Sequence, residues 1–309
     1  MSLEPLLRAI LVPASPRSFD SPAAWWREHH AETHALARPI DRAIVGATLV
    51  DALGFAFAGG YAAALQSMVP SLPSDRLASF AATEEQGAHP RSIQTTLTPA
   101  EGGGFVVDGQ KRWVTLGPDG GEILVVARLA EASAERPTLR VVRVDAHADG
   151  VTITPLPHAA FVPEIPHASV RLERVRVDAD AILPGDGYDA YLKPFRTIED
   201  VHVHAALWAW LAATGVRHGF PRELVARATA LVVGARALAE ASPSEPSVHV
   251  ALGGIVEESK ALVAAMEGAW ALVPEGLRAR WERDRVILGV AGKARAQRFE
   301  KAWTSLRGA

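Results

Sequence analysis

The chain has 309 residues and a mass of 32.9 kDa, more than one hydrophobic core usually holds, so two or three packed substructures are expected. Hydrophobic residues make up 49% and charged residues 22%, too apolar for a disordered chain, and a net charge of -3 gives no electrostatic case for a nucleic-acid partner. There is no cysteine, which excludes disulfide scaffolds, thiolate metal sites and cysteine nucleophiles together.

The opening residues carry Glu4 and only a short apolar run, a poor match to a secretory signal, so a cytoplasmic location is expected. Residues 21–69 read as helical. Ser21-Pro22 has the form of an N-cap followed by proline at the first helical position, and Asp41 can cap the next helix. Residues 43–69 are long enough to span a bilayer, but Asp51 in mid-span and Gly46, Gly54, Gly59 and Gly60 point to a buried helix that others approach closely; no membrane partner is expected. His30 and His34 lie one helical turn apart beside Glu28 and Glu32, yet no third ligand is evident nearby, and no metal site is expected.

From about residue 77 the pattern changes to short β-rich runs at 104–107, 111–115, 122–129, 138–145, 151–155 and 168–177, implying a small barrel or sandwich. Asp108-Gly109 between two of them reads as the two-residue link of a tight hairpin. After Pro184-Gly-Asp-Gly187 helical periodicity returns, with breaks near 219–221, 242–246 and 274–276, giving about four helices of bundle length. The expected domains are 1–76 (helical), 77–186 (β) and 187–309 (helical bundle), an α+β multidomain fold. Walker A, HExxH, GxSxG and dinucleotide-fingerprint patterns are absent.

Two segments carry the strongest signal: Phe80-Ala-Ala-Thr83-Glu84, and Val107-Asp-Gly-Gln-Lys-Arg-Trp113-Val-Thr115. Here the sequence resembles the acyl-CoA dehydrogenase family. Its middle β domain opens with aromatic-x-x-Thr-Glu-Pro and then carries Asn-Gly-x-Lys-x-Trp-Ile-Thr, and its order of domains is helical, β, helical. The resemblance implies FAD as cofactor, with Phe80, Ala82, Thr83, Gly87, Trp113 and Thr115 around it: Thr83 at the pyrimidine edge, Trp113 packed on the ring, and the Thr115 hydroxyl at N5. A flavin needs such donors and an apolar wall to stabilise its reduced form. Taken singly, Trp113 also reads as core and Thr115 as an ordinary β-branched strand residue.

The chain departs from the family pattern in several places. Glu85-Gln86-Gly87-Ala88-His89-Pro90 stands where the family has Pro and then Gly-Ser-Asp, so a serine near the pyrophosphate is missing. Only a loose Arg217-His-Gly-Phe220 stands where the family's Arg-x-x-Phe-Gly reaches a neighbouring subunit's cofactor, and Gly253-Gly254 is a poor version of the adenine-side glycine-rich segment. The terminal catalytic carboxylate falls on Ala291, after Arg283-Asp284; the second place used in the family corresponds to Thr197-Ile-Glu199-Asp200. Glu199 is therefore the candidate catalytic base, while the same segment also reads as a capping box with acids in a first helical turn.

Three functions stay open on this reading: an α,β-dehydrogenase of an acyl thioester or related acyl compound passing electrons to an unidentified acceptor, a flavin oxidase or oxygenase, and a cofactor-poor subunit of a hetero-oligomer. Apolar runs at 205–213 and 228–233, broader than one buried stripe, lead to the expectation of a homo-oligomer, a dimer or tetramer.

Overall fold

The computed structural model describes residues 1–130 and 137–308. The chain divides into two compact units. One gathers residues 1–67, the short segment Ala160–Glu164 and the chain from Thr197 onward; the other holds residues 68–159 and 165–196.

The helical unit starts with α1 (Leu3–Leu11), α2 (Pro22–Thr33), α3 (Pro39–Ala47) and α4 (Leu53–Met68). Ser21 caps α2, its Oγ accepting from the Ala24 amide at 3.2 Å with Pro22 next in line, as the sequence predicts. Asp41 does not cap α3. The helix begins two residues earlier at Pro39, and the buried Asp41 carboxylate accepts from Arg236 Nε at 2.6 Å and from the Met1 amino group at 3.2 Å. A short acid one turn into a helix suits the dipole, but here a distant arginine claimed it. Among the described residues no helix is long and apolar enough to cross a membrane, and the 43–69 stretch forms the buried α3 and α4.

The C-terminal helices are α5 (Lys193–Arg217), which belongs to this unit from Thr197 on and to the other unit before it, α6 (Arg222–Leu238), α7 (Pro246–Ala265), α8 (Glu275–Asp284) and α9 (Gly292–Arg307). Residues 205–213 of α5 are all buried within the single chain, so this run is apolar all round because it is central. Gly60 of α4 lets α5 approach closely: a Cβ there would stand 2.5 Å from Val203 Cα. Trp210, Trp270 and Trp281 stack in the core, the last two with ring centroids 4.4 Å apart.

Among the described residues the β unit is a curled mixed sheet of seven strands: β1 (Ala78–Ala81), β2 (Thr96–Pro99), β3 (Phe105–Thr115), β4 (Glu122–Leu129), β5 (Leu139–Asp145), β6 (Val151–Pro155) and β7 (His167–Val177). The order is β1-β4-β2-β3-β7-β6, with β5 on the free edge of β4; β1 and β2 run parallel to β4, and the other pairs are antiparallel. Leu97, Val107, Val125, Val142 and Val170 are among its fully buried core.

Asp108-Gly109 is not a hairpin link. β3 runs straight through it and pairs along its length with β7. The register shifts between Val107 and Gly109, where β7 carries an extra residue at Arg174 (φ 52°), whose amide donates to Asp108 Oδ1 at 2.7 Å. Gly109 is needed because a Cβ there would stand 2.4 Å from Thr95 Oγ1. The dipeptide marks a bulge and a close approach, the other settings in which a strand uses glycine.

Candidate active site

The site is built by a second bulge in β3. Val107 and Lys111 point into the core, and strict alternation would put residue 113 there too. Instead the register shifts between Lys111 and Val114: Trp113 takes φ 58° as the extra residue, Val114 turns inward with no exposed surface, and the indole is left 54% exposed. Thr115 follows on the non-core side, half-buried, opposite His167. The His167 ring meets the Trp113 indole edge-on at 6.2 Å, and burial holds its imidazole below its ordinary pKa, hence uncharged near neutral pH. The Arg112 guanidinium lies 5.8 Å from the same indole.

The first motif segment joins this face through one backbone bond. The Arg112 amide donates to the Thr83 carbonyl at 2.8 Å, bringing Thr83 beside Trp113. Phe80 is buried on β1 with its ring 4.7 Å from that of Phe195, and Ala82 is buried as well. Gly87 closes a tight turn at φ 99°, exchanging both backbone hydrogen bonds with Glu84, so its N–H is already engaged; the space where a Cβ would stand is open. Phe80, Ala82, Thr83, Gly87, Trp113 and Thr115 therefore all belong to the β unit. An exposed indole on a strained backbone, a neighbouring threonine and an open glycine fit a planar aromatic cofactor such as a flavin ring.

Glu84 and Lys111, quoted in the motifs without a role, form a buried ion pair: Lys111 Nζ donates to Glu84 Oε1 at 2.7 Å. Burial pushes the Lys111 ammonium down to about 8, with Glu84 only partly opposing it. Burial also pushes the Glu84 carboxyl up, but Lys111 and the donors around it outweigh this and hold it below its usual value. Sequence alone could not find the pair, because the inward phase of Lys111 depends on where the bulges fall.

In the helical unit, Glu199 lies within α5 and is half-buried. The segment Thr197 to Asp200 is not a capping box, since α5 begins at Lys193 after a π-helical turn at Tyr188–Leu192. Asp200 instead accepts from Arg295 Nη2 at 2.8 Å and Arg298 Nη2 at 2.6 Å on α9. Ala291, in the place of the expected terminal carboxylate, is exposed at φ 60° just before α9. Asp284 is buried, paired with Arg283 and accepting from the Val162 amide at 2.7 Å. Arg217 folds onto the Ala14 and Thr48 carbonyls. Gly253 faces the Phe299 ring, where a Cβ would stand 2.3 Å away, which gives it a packing role between α7 and α9. Among the described residues no cluster of potential metal ligands occurs, and His30 and His34 stack on each other at 5.1 Å.

Comparison with known proteins agrees with this architecture. Residues 79–175 match the family model of the acyl-CoA dehydrogenase middle domain. Benzylmalonyl-CoA dehydrogenase of Aromatoleum aromaticum is 28% identical over 169 residues, 50% of this chain and 43% of that protein, so the match spans less than half of the relative. A solved structure described as an FAD-dependent dehydrogenase superposes with a TM-score of 0.71 at 14% identity, covering 100% of this chain and 98% of that one. The prolyl acyl carrier protein oxidase AnaB superposes at 0.67 and 14% identity, covering 96% of each chain. The fold is acyl-CoA dehydrogenase-like: helices, a curled mixed sheet and a C-terminal bundle. Residues 79–175 thus carry an acyl-CoA dehydrogenase middle domain, and the chain as a whole is similar in fold to that family.

Proposed function

We propose that this protein is an FAD-dependent oxidoreductase acting on an acyl thioester or a related activated acyl compound. The observation that carries the reading is Trp113, held half-exposed at positive φ beside Thr83 by the Arg112 to Thr83 hydrogen bond. A bulky residue in that backbone region costs free energy, and a strand without a task there would turn the indole inward. FAD, when bound, would supply the hydride acceptor. Trp113 would cover one face of the ring and exclude water, Thr83 would hold the pyrimidine edge, and the Thr115 hydroxyl would donate at N5. Phe80 and Ala82 would support that wall from the core, and Gly87 would leave room for the ring to approach. Glu199 would take the α-proton of the acyl group onto its carboxylate as the β-hydrogen leaves as hydride.

A second reading draws on Ala291. Its methyl group cannot accept a proton, which favours a flavoprotein running another oxidation, such as an oxidase step, without the terminal base. The visible spectrum of purified protein and anaerobic mixing with short, branched and aromatic acyl-CoAs test both. Flavin bands that bleach with a thioester in the parent, and persist unbleached in Glu199→Gln, support the first reading. Flavin bands that no thioester bleaches leave the second. A colourless preparation that takes up neither FAD nor FMN refutes both and leaves a cofactor-free subunit of a larger assembly.

A further inference from the structure

The Glu84–Lys111 pair is expensive for what it stabilises. Lys111 has no exposed surface and Glu84 is 7% exposed. The carboxylate is saturated: Oε1 accepts from Lys111 Nζ (2.7 Å), the Thr95 amide (3.0 Å) and Thr95 Oγ1 (2.7 Å), and Oε2 accepts from the Gln94 amide (2.7 Å). The ammonium is not: among the described residues Glu84 is its one hydrogen-bond partner. Taking both charges out of water costs roughly what their attraction returns, and the Gln94 and Thr95 donors need an acceptor at residue 84, which a neutral amide would also supply. Stability alone does not explain the pair.

What apolar residues could not do is join one point of β3 to one point of the segment after β1. Glu84 directly follows Thr83, and Lys111 directly precedes the Arg112 whose amide holds the Thr83 carbonyl. On the other side of the bulge Val114 is anchored in the core. Thr95, which donates to Glu84, also packs on Gly109 and passes its carbonyl to the Arg128 amide at 2.8 Å, tying the junction to β4. A bulge can slide along a strand by one pleat, and a one-residue slip sends every following side chain to the opposite face. With Lys111 pinned, the extra residue must fall between it and Val114.

We propose that the Glu84–Lys111 pair is a positioning device: it fixes the β3 bulge at Trp113 and thereby sets the spacing of the indole and Thr83 on which the flavin ring would rest. The inference deepens the flavin reading and depends on it for the ligand, but the register claim stands on the protein alone.

The test compares the parent with Glu84→Leu/Lys111→Met, which replaces both charges, and with Glu84→Gln, which removes one charge and keeps the shape. Two readouts are taken: hydrogen exchange of the Arg112 amide in flavin-free protein, and FAD affinity by titration. The double variant, which also leaves the Gln94 and Thr95 donors without their acceptor, should melt below the parent, lose Arg112 protection and bind FAD roughly tenfold or more weakly. Glu84→Gln should move both readouts the same way and decides the matter if the double variant does not fold. A folded variant with parental Arg112 protection and parental FAD affinity overturns the proposal. If the parent itself binds no flavin, the flavin reading fails, and the Arg112 exchange rate still decides whether the pair holds the register.

Discussion

Acidification should destabilise this protein well above the range in which its carboxylates titrate, through histidines that the helical unit buries uncharged. His29 lies against Trp25 and Trp26, with ring centroids 5.0 and 5.4 Å away, and Gly46 makes room for it; burial, aided by the charges of His30 and Arg42, pushes it down to about 3. His202 on α5 donates from Nδ1 to the Ile198 carbonyl at 2.8 Å, and burial pushes it down to about 4. The ordinary value in the unfolded chain is 6.5, so as pH falls below that point the unfolded state binds protons first and stability drops. At about pH 5 the gap of about 1.5 units is worth about 2 kcal/mol for each residue, about 4 kcal/mol together. That is a large share of a typical stability of about 5–15 kcal/mol. Urea denaturation at neutral pH and at about pH 5 measures the loss, and His202→Leu should remove about half of it. An unchanged denaturation midpoint between the two pH values would mean that these histidines take up no proton on unfolding, and an undiminished loss in the variant would exclude His202 as a source.

Asp200→Asn should cost about 3–5 kcal/mol in a denaturant melt, because it removes the buried carboxylate charge to which both Arg295 and Arg298 donate, whereas a residue serving only as a helix cap would cost about 1 kcal/mol. Trp113→Ala should weaken FAD retention while leaving the melting temperature nearly unchanged, since the indole is 54% exposed; a large thermal loss would make it a core residue instead. Gly60→Ala should destabilise strongly because its Cβ would strike the α5 backbone at Val203, whereas Gly254→Ala, with open space around it, should gain up to about 1 kcal/mol from helix propensity. Light scattering across a wide concentration range should give a multiple of the 32.9 kDa chain mass. A monomer throughout would remove the oligomer expectation, which no longer has the 205–213 run in its favour because the chain buries that run itself.

Local chemistry wrote much of this molecule into its sequence. The Ser21-Pro22 cap, the strands expected at 122–129, 138–145, 151–155 and 168–177, two of them displaced by one residue at their start, and the breaks around Gly219 and Pro274 depend on a few adjacent residues and are read from them. The motif pair around Thr83 and Trp113 was legible for the same reason, since each half is one short segment. The ion partners of Asp41 and Asp200 lie 195 and 95 residues away, where no spacing rule reaches, and each acid looked like the nearest local use, a helix cap. Asp108-Gly109 suits a tight turn by its own preferences, and only pairing with all of β7 turned it into a bulge. That pairing in turn set the phase of β3, which buried Lys111 and left Trp113 outside. Side-chain direction along a strand is the sum of every register shift before it, so it belongs to the assembled sheet and to no single stretch of sequence.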